Sequence, residues 1–134
     1  MNIYTCLVLV VIAASAQHLT EEQKNNWRKW SNECKVLIGV SQEAINKIRN
    51  NEFDSVDDKI KKHGLCFAKK ASLADSSGNI IINQIKIKLK RVIEDDEEVD
   101  RIVTKCTIRK NTPEETTFET FRCLRENSSK FVPV

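Results

Sequence analysis

Five cysteines and two histidines are the residues of this chain most able to do chemistry, and their spacing decides which chemistry that is. A zinc site needs Cys or His in close pairs. Here Cys6, Cys34, Cys66, Cys106 and Cys123 each stand far from the next, and His18 is remote from His63. No Gly-rich phosphate loop and no Gly-x-Ser-x-Gly elbow is present. The acidic pairs Asp57-Asp58 and Asp95-Asp96 fall where helices should begin, and carboxylates there are explained by capping and the helix dipole. His63 lies beside an apolar helix face and reads as a solvated helix residue. The expectation is a protein with no catalytic residue, no metal and no cofactor. Oxidation to disulfides is the chemistry left for the thiols. Asn127-Ser128-Ser129 is a formal N-glycosylation sequon.

Residues 1–16, MNIYTCLVLVVIAASA, are an apolar run ending in the small-x-small pattern of a signal-peptidase site, although no Lys or Arg precedes the run. At under the ~20 residues that span a bilayer, the run is short for a membrane anchor. We therefore expect cleavage after Ala16, a secreted and extracellular location, and one domain over residues 17–134. Cys6 leaves with the leader. The four remaining cysteines imply two disulfides, with three connectivities open. The net charge of +3 is mild, and both signs are spread along the chain, so neither nucleic acid nor a stable membrane anchor is expected as a partner. Lys86, Lys88, Lys90 and Arg91 read as the polar face of an amphipathic helix.

The elements that position the thiols are best seen at the corner Cys106–Cys123. Val99, Ile102, Val103 and Cys106 recur at helical spacing, and Asn111 should stop that helix. Thr112, Pro113 and Glu115 then supply an N-cap, a first-position proline and a capping-box partner. A following helix would carry Phe118, Phe121 and Leu124 on one side, and a Cys106–Cys123 bridge would clamp the two helices together.

Upstream, Thr20 with Gln23 should open a long first helix whose apolar edge is Trp27, Trp30, Cys34 and Leu37, ended by Gly39. Ser41 caps a short helix to about Arg49, with Ala44, Ile45 and Ile48 buried. A third helix runs through Ile60, Gly64, Phe67, Ala68 and Ala71. Glycine there costs about 1 kcal/mol relative to alanine, and close packing of another helix is the expected reason. After a turn at 74–79, Ile82, Ile85, Leu89 and Val92 mark a fourth helix, and Asp95 with Glu98 opens the fifth. The apolar tail Phe131-Val132-Pro133-Val134 should be covered rather than helical. The fold class is thus all-α, a compact bundle of about six short helices with two disulfides. Short helices joined by loops leave interior space, so we expect them to surround an apolar cavity.

The pattern resembles the insect odorant-binding proteins of the pheromone-binding and general odorant-binding family. A leader, six helices, and cysteines placed before Gly39, in the third helix, at the end of the fifth and within the sixth carry the resemblance. Its most specific piece is TPEETTFETFRC, residues 112–123, and it spans the whole mature chain. Members usually carry six cysteines, and here Lys62 and Glu114 occupy two of those positions, the pattern of the four-cysteine subgroup called C-minus. The resemblance implies the pairs Cys34–Cys66 and Cys106–Cys123. It leaves two stapled halves held by packing alone, with a Lys62–Glu114 ion pair expected in place of the absent bridge. It also implies a secreted carrier of odorants, pheromones or related lipids, a monomer or weak dimer, with a chemosensory receptor as a further partner.

On this reading the ligand is small and apolar, and burial drives binding. Ten methylenes at ~0.8 kcal/mol each give about 8 kcal/mol, and with association and ordering costs set against it the expected affinity is around micromolar. The expected wall is Trp30, Leu37, Phe67, Ile85, Leu89, Val92, Ile102, Phe118, Phe121 and Leu124, with Phe131 and Val132 as a lid. Residues 17–134 contain no tyrosine, so no phenol can hold a ligand's polar end. Two other readings keep the helices. One is a haemolymph or reproductive-fluid carrier of the same fold, and the other is a secreted interaction protein with a filled core.

Overall fold

Helices start in this chain where a short polar side chain can take up a backbone N–H that the first turn leaves unpaired. The computed structural model describes residues 20–54 and 56–128, and among these it contains six α-helices and no strand. Helix α1 is Glu21–Ile38, and its capping box is complete. Gln23 N donates to the Thr20 hydroxyl at 3.1 Å, and Thr20 N donates to the Gln23 side chain at 2.9 Å. Gly39, at φ 81°, closes it in the left-handed conformation that favours glycine. Helix α2 is Gln42–Arg49, capped by Ser41, and α3 is Asp58–Lys70, capped by Asp57.

Helix α4, Ile82–Lys90, has no side-chain cap. Extended backbone leads into it, with Ala74 and Ile80 forming an isolated antiparallel bridge and Ile81 N donating to Leu73 O at 2.8 Å. The β-branched Ile80-Ile81 pair thus contributes a bridge and no longer strand. Helix α4 stops at Lys90, which leaves Val92 half-buried in the following turn. Helix α5 is Asp96–Cys106, and α6 is Pro113–Asn127 with Thr112 accepting from Glu115 N at 3.1 Å.

Two terminal signals act differently from expectation. Asp95 takes the N–H of Glu97, while the Glu98 carboxylate accepts from Arg101 at 2.6 and 3.0 Å and does not close a box. Helix α5 ends at Cys106, five residues before Asn111. There Thr107 N and its hydroxyl both donate to Val103 O, at 3.0 and 2.7 Å, and end the ladder early.

Disulfides join Cys34 to Cys66 and Cys106 to Cys123, tying α1 to α3 and α5 to α6. The packed helix pairs run α1 with α3, α3 with α6, α6 with α5 and α5 with α4, so α3 against α6 unites the two stapled halves. The union is not packing alone, because the Arg125 guanidinium on α6 donates to Arg49 O at the end of α2, at 2.9 Å. Lys62 is exposed and forms no ion pair with Glu114 among the described residues. Gly78 fixes the start of α6 from the side. Its φ is 88°, and a Cβ there would stand 2.6 Å from Cβ of Pro113.

Apolar burial divides into two clusters. The main core contains Cys34, Phe67, Leu73, Ile85, Leu89, Val99, Ile102, Phe121 and Leu124, with Trp27 and Trp30 packed against it. Trp27 meets Phe67 edge to face at 5.8 Å. The second cluster is Val40, Ile45 and Ile60, joined by partly buried Ile38, Ala44, Ile48, Val56 and Phe118. Helix α1 feeds both, through a register that differs from the one its apolar residues suggest. Its inward line is Trp27, Ser31, Cys34 and Ile38, whereas Leu37 is 74% exposed. On that inward line the Ser31 main-chain carbonyl accepts from His63 at 3.1 Å.

Candidate functional site

A partly open hollow exists where the second cluster is incompletely filled. The short helix α2, the loop after it, α3 and α6 meet around a cavity of about 40 Å³ lined by Ile45, Ile48, Phe53, Ile60, His63, Gly64, Phe118, Phe121, Arg122 and Arg125. At ~10–15 Å³ per water position, that is room for about three waters, against roughly 300–1,000 Å³ for a pocket holding a drug-sized ligand. A ten-carbon guest is larger than this space. Two surface hollows are larger, about 220 and 210 Å³, and their walls mix many polar groups with the apolar ones.

Of the expected wall, Phe118 and Phe121 line this cavity. Phe67, Ile85, Leu89, Ile102 and Leu124 belong instead to the main core, each fully buried in the filled interior. Trp30 is packed against that core from outside, Val92 sits in a turn, and Leu37 faces outward. Phe131, Val132, the leader 1–16 and His18 lie outside the described residues.

Each wall residue has a local cause. Ile45 and Ile48 are one turn apart on α2 and Ile60 opens α3, so one apolar stripe meets another. Phe118, Phe121, Arg122 and Arg125 fall at i, i+3, i+4 and i+7 on α6, a single face that begins aromatic and ends cationic. Phe53 stands edge-on to Phe118 at 6.0 Å, and Arg122 lies 5.4 Å from the Phe53 ring centre. Lys61 covers Phe118 from the outer side at 5.8 Å.

Gly64 is the clearest departure from close packing. A Cβ built there meets nothing within 4 Å, so no helix approaches it closely and its missing side chain adds to the void. His63 is buried rather than solvated. A carbonyl can only accept, so His63 Nε2 carries the proton donated to Ser31 O. Burial pushes the imidazole below its ordinary value, and the charges of Arg49 and Lys35 act in the same direction, while the bond to Ser31 opposes them.

The lining contains no carboxylate, and among the described residues no group of three His, Cys, Asp or Glu stands together as a metal site. No helix of the described residues is long and apolar enough to cross a membrane. An apolar hollow set against α3 and α6, each tied by a disulfide, is the arrangement of a helical carrier of small ligands, the class to which the chain's relatives also point. The chain belongs to the PBP/GOBP family, whose pattern it matches over residues 16–127. It is 37% identical over 125 residues to the B1 protein of Tenebrio molitor, covering 93% of this chain and 95% of that one. It is 38% identical over 122 residues to the B2 protein of the same beetle, covering 91% and 94%.

Two solved structures share the arrangement. A fatty acid binding protein, OBP56a, from the oral disk of the blowfly Phormia regina superposes with a TM-score of 0.68 at 27% identity, covering 85% of this chain and 98% of that one. The THP12 carrier protein of the yellow meal worm gives 0.59 at 40% identity, covering 72% and 89%. The two disulfides seen here fit the four-cysteine pattern.

Proposed function

We propose that the protein is a secreted, non-catalytic carrier that takes up one small hydrophobic molecule between α2, α3 and α6 and releases it unchanged. Volatile alcohols, aldehydes, esters and fatty-acid derivatives are the candidate guests, and the fatty acid binding relative from the blowfly supports the last of these. The observation that carries the reading is the void left by Gly64 among Ile45, Ile48, Ile60, Phe118 and Phe121, an apolar space in a region otherwise packed. Entry widens it. Helix α2 has eight residues and, among the described residues, no disulfide, so it is the wall that gives way most easily. Each methylene placed there gains about 0.8 kcal/mol, which offsets the parting of α2 from α6.

The test is uptake of a fluorescent apolar probe by the purified protein, followed by competition with long-chain alcohols and acids. Ile48→Trp should fill the cavity and abolish uptake while the helical circular dichroism is kept. Undiminished uptake by a folded Ile48→Trp protein would place the guest elsewhere. No uptake by the natural protein would favour the reading of a secreted interaction protein.

A further inference from the structure

The polar groups around the cavity are almost all occupied. His63 Nε2–H is given to Ser31 O, and Arg122 pairs with Glu119 and Glu126. Arg125 gives Nη2–H to Arg49 O at 2.9 Å, which fixes the plane of its guanidinium. Its Nη1 is fully enclosed and has no acceptor. Among the described residues four enclosed side-chain N or O atoms lack a partner, and Arg125 is the one of those residues that lines the cavity. An enclosed donor without an acceptor is costly, and a charged one more so. The cost is recovered when a ligand brings the acceptor.

From this we infer that the carried molecule is a linear amphiphile with a carboxylate head, held by Nη1 of Arg125 at the seam of α2 and α6, its tail running between Ile45, Ile60, Phe118 and Phe121. The inference rests on the carrier reading above and adds the chemistry of the head. The surrounding charge favours an anion over a neutral alcohol or ester. Arg122 is met by Glu119 and Glu126, but Arg125 is in the wall with no carboxylate in the lining, Lys61 covers Phe118, and the charges of Arg49 and Lys35 reach His63. An alcohol could accept from Nη1 as well, but without a charge-assisted bond.

The experiment compares dodecanoic acid, dodecanol and methyl dodecanoate, which share one chain length, as competitors of a fluorescent apolar probe at pH 7.5. The natural protein should bind the acid about 10- to 100-fold more tightly than the alcohol or the ester. Arg125→Met should remove that preference, and Arg125→Lys should retain part of it. Circular dichroism and the unfolding midpoint establish that each variant is folded. A second readout uses the natural protein alone. The carboxyl carbon of labelled dodecanoate should titrate at lower pH when bound than when free, because the guanidinium favours the charged form.

Equal affinity for acid and alcohol, a preference that survives Arg125→Met, or a bound carboxyl titrating at or above the free one would each overturn the inference while the carrier reading stands. Failure of the natural protein to take up the probe or any of the three compounds overturns both.

Discussion

Replacing Gly64 by alanine should make the protein more stable and a poorer carrier at once. Gly64 is an interior residue of α3 with no positive φ, so alanine fits the backbone, and its methyl meets no heavy atom within 4 Å. Alanine is favoured over glycine inside a helix by about 0.8–1.0 kcal/mol. For a domain of this size that raises the melting temperature by about 4 °C. The same methyl enters a cavity of about 40 Å³, where it occupies the place of roughly one of the three waters that fit. A guest then loses about one methylene of burial, ~0.8 kcal/mol, or about fourfold in Kd. Urea unfolding with intact disulfides measures the first effect and probe competition the second. A lowered urea midpoint would mean that another group already occupies the space beside Gly64. A raised midpoint with unchanged affinity would mean that the guest does not lie against α3.

The remaining expectations concern the scaffold. Leu37→Ser should change stability by no more than about 0.5 kcal/mol, because Leu37 faces outward. Leu124→Ala should cost about 2–5 kcal/mol, since that side chain is fully buried, and paired urea melts separate the two. Cys106→Ser with Cys123→Ser should cost about 3 kcal/mol for a loop of 17 residues, read from the same unfolding curves. Burial first, then Arg49 and Lys35, hold folded His63 below its unfolded value near 6.5, so the unfolded chain binds the extra proton. The His63 contribution is therefore complete above about pH 6.5 and declines as pH falls from there toward the folded value. His63→Gln should flatten that part of the urea midpoint against pH, and an identical profile in the variant would show that His63 is not the titrating group.

Most helix ends and the all-α class were legible because each rests on local chemistry, whereas the disulfide pairs followed from the family resemblance. Thr20 with Gln23, Ser41, Asp57, Thr112 before Pro113, and Gly39 act within one turn of themselves, and no distant residue alters their meaning. The wall was mostly illegible because hydrophobicity marks a residue for burial without saying whether a neighbour fills the space beside it. Phe67 and Leu89 look like pocket residues for the same reason that they are core residues. The register of α1 failed for a related reason. Leu37 is more apolar than Ser31, yet Ser31 lies inward, where its main-chain carbonyl meets a buried imidazole 32 residues away that hydropathy does not reveal. Asn111 looked like a stop, but the Thr107 hydroxyl acts first.

The signals that mark the cavity are the residues that break a helix's apolar pattern without an obvious local gain. Gly64 gives up helix propensity in the middle of α3, His63 beside it buries a titratable ring, and Arg122 and Arg125 continue the stripe that Phe118 and Phe121 begin. Each of these costs stability if the interior is merely a core. Together they fall on facing surfaces of α3 and α6, the contact that joins the two stapled halves. Rigidity and adaptability are thereby placed in different parts of one small fold. The main core joins α1, α3, α4, α5 and α6 into one frame, while the smaller cluster under α2 is held by few side chains, with bonds from Arg125 to Arg49 O and from Lys35 to Gln42 among those that tie α2 down. A guest that parts α2 from α6 works against that smaller cluster and the Arg125 bond and leaves the main core in place, so a cavity too small at rest is compatible with carriage of a molecule several times its volume.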